Sequence, residues 1–80
     1  MDIFSQLRSI IASTLGVDEA IVTPDLAAGE IPQWDSMGNM AIISRIEEEM
    51  DVEFPMDDLF DLTSVKAFAD EIEKLRNGNA

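Results

Sequence analysis

Ser36 is the residue of this chain best placed to do chemistry. It stands in the run Trp34-Asp35-Ser36-Met37, where a loop gives way to an apolar-periodic helix. A serine there can attack as a nucleophile, cap the helix, or receive a group from another enzyme. Attack by the chain itself needs an adjacent base and donors for an oxyanion. The sequence has no histidine, and Lys66 and Lys74 are its only lysines. It has no cysteine either, so thiolate chemistry and disulfides are excluded. The chain is therefore not expected to be an enzyme. Capping by Ser36 or Asp35 would satisfy a free N–H of the first turn. Attachment suits the same place, because a helix mouth offers free N–H groups and partial positive charge to an anion such as a phosphodiester. On these residues alone, cap and tether both stand.

Acidic side chains are the second feature. From Glu47 to Asp61 there are eight, Glu47, Glu48, Glu49, Asp51, Glu53, Asp57, Asp58 and Asp61, with no Lys or Arg among them. A charge run is ordinarily a solvated face. Glu47, Glu48 and Glu49 fall near the end of a helix, where its dipole disfavours them, so local stability does not account for their position. The spacing D-x-[DN]-x-[DN]-G-x₅-E of a calcium loop is absent, and no dedicated metal site is expected. A net charge of −12 repels nucleic acid and anionic membranes and favours partners with basic patches.

Three amphipathic stripes must position these residues. Ile3, Phe4, Leu7, Ile10, Ile11 and Leu15 mark a first helix, with Asp2 as cap and Gly16 as stop. A long connection, roughly 17–34, is broken by Pro24 and Pro32 and pinned by Ile21, Val22, Leu26 and Ile31. Trp34 is read as a loop anchor over the next helix. Met37, Met40, Ile43, Ile46 and Met50 mark that helix over about 36–50, and Met37 is exposed enough to touch partners. Pro55 opens a short helix over 56–60. Thr63 caps a last helix whose stripe is Val65, Phe68, Ala69, Ile72 and Leu75, with Asn77-Gly78 as its end.

The chain of 80 residues, 46% hydrophobic, supports one small core. The stripes can bury themselves only against one another. The expected fold is all-α, a small antiparallel four-helix bundle of three longer helices and one short one, in a single domain over 1–77 with a frayed tail at 78–80. No apolar run reaches the ~20 residues of a membrane span. The N-terminus does not read as a signal peptide, so a cytoplasmic monomer is expected.

Assembled in this way, the residues resemble the acyl carrier protein family. The resemblance rests on Asp35-Ser36-Met37 at the helix mouth, Ile46-Glu47-Glu48-Glu49-Met50, Glu53-Phe54-Pro55 and Leu62-Thr63-Ser64-Val65. It implies that Ser36 carries 4′-phosphopantetheine, attached by a phosphopantetheinyl transferase, with Asp35 as its motif neighbour. Acyl groups would ride on that arm as thioesters. Enzymes that load, transfer or condense them would dock through basic patches on Met37, Met40, Glu47, Glu48, Asp57 and Asp58. It further implies an acyl pocket among Met40, Ile43, Ile46, Leu59, Leu62, Phe68 and Ile72. The alternative is an acidic helical interaction module that bears no prosthetic group.

The departures from the family pattern point to a specialised carrier. Carriers of general fatty-acid synthesis have acids just after the serine, where this chain has Gly38 and Ala41, and Arg45 adds a positive charge. Trp before Asp-Ser resembles stand-alone carriers of secondary metabolism or of surface-lipid and polysaccharide clusters. Met37-Gly38 resembles D-alanyl carriers, which leaves an aminoacyl cargo open.

Overall fold

A computed structural model describes residues 2–77. The expected frayed tail at 78–80, with Gly78 as a helix stop, lies outside the described residues. Helix α1 is Ile3–Leu15, α2 is Ser36–Met50 and α3 is Val65–Asn77. Two 3₁₀ segments, Glu19–Ile21 and Met56–Asp61, interrupt the connections. Both α2 and α3 pack on α1, and the described residues form a small helical bundle of 38 × 27 × 21 Å.

Each helix begins where its sequence satisfies free backbone donors. The Asp2 carboxylate accepts from Ser5 N–H at 2.8 Å, and Gly16 ends α1 in the left-handed region at φ 71°. Asp35, and not Ser36, caps α2 by accepting from Gly38 N–H at 2.8 Å. The last helix corrects its expected start. Ser64, not Thr63, supplies the cap, its hydroxyl oxygen accepting from Ala67 N–H at 3.0 Å. The helix therefore opens one residue later, and Thr63 is left to face elsewhere.

The long connection is not loose. Val22, Leu26 and Trp34 are buried and tie it to the core, whereas Ile21, expected to help, is largely exposed. Backbone bonds join it to the segment before α3: Ala28 N–H donates to Thr63 O at 2.8 Å, and Val65 N–H donates to Leu26 O at 3.0 Å. Trp34 is fully buried and stacks on Phe68 with ring centroids 6.5 Å apart. Its indole N–H donates to Asn39 Oδ1 at 2.8 Å, and Asn39 Nδ2 donates to Leu62 O at 3.0 Å. The loop, α2 and the lead-in to α3 are thus clasped at one point.

The close approach of loop and helix explains Gly38. A Cβ at that position would lie 2.6 Å from the Gln33 carbonyl oxygen and 3.1 Å from a Leu15 methyl. Alanine in a helix ordinarily gains about 1 kcal/mol over glycine. Overpacking against a backbone oxygen costs about 1–3 kcal/mol, so the clash outweighs the gain. Urea unfolding of Gly38→Ala is expected to give a lower midpoint than the wild type; an unchanged or higher midpoint would show that the loop yields freely.

Candidate functional site

The clasp leaves an open groove on the outer side of the bundle. It has a volume of about 690 Å³ and begins at Asp35 and Ser36. Met40, Ile43, Met56, Leu59 and Phe60 supply most of its apolar wall, with Trp34 at its base. Asn39 and Thr63 add polar groups to that wall. Ser36 is exposed at one end, and the cap belongs to its neighbour, so its hydroxyl is not needed to hold the helix together.

The residues singled out as a pocket divide into two sets. Met40, Ile43 and Leu59 line the groove. Ile46, Leu62, Phe68 and Ile72 do not; each is at most 3% exposed, inside a closed core. Trp34 touches both sets, lining the groove and stacking its ring on Phe68.

The acids divide as well. The Glu47 carboxylate accepts from Phe54 N–H at 2.9 Å, which holds the turn after α2. Glu49 is ion-paired with Arg45 one turn back. The Arg76 guanidinium donates to Met50 O at 3.3 Å, bringing positive charge to the end of α2. Local stability therefore does account for Glu47 and Glu49, contrary to the expectation from the dipole alone. Glu48 and Asp57 remain exposed. Asp58 is half-buried and neighbours Glu71 on α3. Among the described residues, no three acids gather closely enough to hold a metal ion.

Sequence reasoning missed several members of the site. Asn39 is a poor helix former on the inner face of the first turn, a position that signals a buried polar partner. Met56 and Phe60 are 80% and 90% exposed, and Met37 and Met40 are 82% and 59% exposed. Phe60 was readable in principle: Leu59 and Leu62 take the inward positions of the short helix and leave it facing out. Met40, Met56 and Phe60 line the groove as an apolar rim, and Met37 stands exposed next to Ser36.

The chain matches the family model described as "Phosphopantetheine attachment site" over residues 5–72. It is 35% identical over 69 residues to an acyl carrier protein of Syntrophobacter fumaroxidans, covering 86% of this chain and 85% of that one. The chain belongs to the acyl carrier protein family. A relative from Rubrobacter xylanophilus is 31% identical over 71 residues, with 89% and 88% covered. The solution structure of a holo acyl carrier protein from Geobacter metallireducens superposes with a TM-score of 0.82 at 26% identity, covering 95% of this chain and 87% of that one. Members of this family are carriers, not catalysts. They bear 4′-phosphopantetheine and deal with its transferase and with acyl-handling enzymes. The site fits that group: an exposed hydroxyl that no cap requires opens onto a groove with apolar walls. No described helix of this carrier is long and apolar enough to cross a membrane.

Glu71 gives the carrier a measurable pH signature. Its Oε2 is buried without a donor, and its neighbour Asp58 offers another acceptor. Burial first, and Asp58 second, hold its carboxyl above the usual range, with Lys74 partly opposing them. A carboxyl raised by folding stabilises the fold when protonated, and that contribution is lost as pH rises through the folded value. Glu71→Gln is uncharged at every pH and can donate to Asp58. It is expected to unfold at a higher temperature than the wild type at neutral pH, with the gap closing in mild acid. Parallel melting curves across that range would count against the strain at Glu71.

Proposed function

We propose that Ser36 is the residue of this carrier that takes the phosphopantetheine. The observation that carries the reading is the division of labour at the helix mouth, where Asp35 caps and Ser36 does not. The hydroxyl is exposed to a transferase, and the first-turn N–H groups of α2 lie where a phosphodiester would form. The prosthetic group supplies the thiol that the chain lacks. What the chain contributes is a rigid mouth, a groove beside it and a surface that other enzymes recognise. It is a cytoplasmic carrier in this reading.

Partners are proposed to meet the rim of Met40, Met56 and Phe60 together with the exposed Met37, and the exposed acids Glu48 and Asp57. Such a surface suits an enzyme with an apolar centre inside a basic border. Burial of the rim supplies affinity, and the exposed acids supply orientation and speed of encounter. Glu47 takes a smaller share, because its carboxylate is already engaged. The neutral residues Gly38 and Ala41 make the mouth of α2 less acidic than in carriers of general fatty-acid synthesis. The same reading assigns this carrier to a specialised acyl pathway with enzymes of its own.

Intact mass after incubation with a phosphopantetheinyl transferase and coenzyme A tests the attachment. Ser36→Ala is expected to gain no mass and to keep its stability within about 0.5 kcal/mol, since no cap is lost. Asp35→Ala removes the cap and is expected to cost about 1 kcal/mol. Mass gained by Ser36→Ala would move the attachment elsewhere. For docking, Glu48→Lys should slow acyl transfer to a partner at low salt and flatten its dependence on ionic strength. An unaltered salt profile would remove Glu48 from the interface.

A further inference from the structure

Resting on the reading that partners meet the rim beside Ser36, we propose that Met37, Met40 and Met56 form a reversible oxidation site, and that peroxide, by converting their thioethers to sulfoxides, releases partners from this carrier. Four methionines lie among the described residues. Met50 is 6% exposed and fills the core, the ordinary place for a methionine. Met37, Met40 and Met56 are 82%, 59% and 80% exposed, and all three stand at the functional face. Met37 follows Ser36 in the chain, and Met40 and Met56 line the groove that begins at Ser36. No other side chain there competes for an oxidant: the chain has no cysteine, and Trp34 is fully buried.

The oxidant follows from charge. A net charge of −12 repels anionic oxidants and leaves neutral hydrogen peroxide free to approach. Its O–O bond breaks, one oxygen joins the thioether sulfur, and the other leaves as water with both hydrogens. The sulfur gives up two electrons and the peroxide takes them. A dithiol-dependent methionine sulfoxide reductase reverses the step: two thiols supply two electrons and two protons and become a disulfide, and the oxygen leaves as water. In the free carrier the new oxygens stay in water, so the fold tolerates them. Docking must bury them. Ser36 cannot enter an enzyme's active site without Met37 beside it, and an S=O acceptor pressed into an apolar contact loses its water without gaining a partner. Oxidation therefore penalises the docked state alone, which is what a switch on docking requires.

The test uses the apo carrier, which has no arm thiol to compete for peroxide. After graded treatment with hydrogen peroxide, peptide mapping is expected to place oxygen on Met37 and Met56 first, on Met40 next and on Met50 last. Transfer of the arm from coenzyme A by a phosphopantetheinyl transferase is then followed by intact mass. Its kcat/KM is expected to fall about five- to tenfold, the lower end of the penalty for a buried acceptor left unpaired. The loss should lie in KM, and the melting curve should stay where it was. Methionine sulfoxide reductases specific for the two sulfoxide epimers should restore the rate. The triple variant Met37→Leu, Met40→Leu and Met56→Leu keeps an apolar rim, and peroxide should leave its rate, whatever its starting value, unaltered. If the untreated carrier takes no arm on Ser36, attachment falls and this proposal falls with it. Undiminished loading after Met37 and Met56 are oxidised overturns the proposal alone. So does a loss that the reductases do not repair, or one that the triple variant shares.

Discussion

The indole of Trp34 organises both the interior and the functional face of this carrier. Its ring fills the space beside Phe68, and its N–H is bound by Asn39, which in turn holds the Leu62 carbonyl. A buried indole N–H without a partner would be costly, so ring and amide must be placed together. The loop before α2, the first turn of α2 and the segment before α3 converge on that pair. A groove is left outside the clasp and a closed core inside it.

Charge works against the same fold. A small domain with a net charge of −12 repels itself, and its core is too small to make that negligible. The structure spends part of its acidity locally. Glu47 holds a backbone N–H, Glu49 pairs with Arg45, and Asp2, Asp18 and Asp35 cap helical segments. Glu71 is the opposite case, a buried carboxyl raised by burial first and by Asp58 second, with Lys74 as partial relief. The short helix that bears Asp58 also carries Met56, Leu59 and Phe60 into the groove wall.

The helical stripes were legible because burial on one side imposes a period of 3.6 residues, and α1, α2 and α3 all follow it. The exposure of Ser36 was legible from its place at a helix mouth. What was not legible depends on residues brought together by the fold. Glu47 looked misplaced because its partner, Phe54 N–H, is seven residues away around a turn. Thr63 and Ser64 are equally good caps in sequence; the backbone bonds from Ala28 and to Leu26 decide between them. The division of Met40, Ile43 and Leu59 in the groove from Ile46, Leu62, Phe68 and Ile72 in the core was not legible, because a tryptophan in a loop gives no sign of which residues it packs against.

Gly38 changes how the differences from other carriers are to be understood. From sequence, a glycine in place of an acid looks like a loss of docking charge, a choice made for a partner. In the fold, no side chain fits there without displacing the Gln33 carbonyl. The glycine lets the loop descend onto α2, and that descent carries Trp34 to Phe68 and Asn39. The neutral mouth of α2 and the close seat of the loop therefore rest on one residue. A carrier that restored an acid at this position would have to lift the loop, and with it the Trp34 ring that stacks on Phe68.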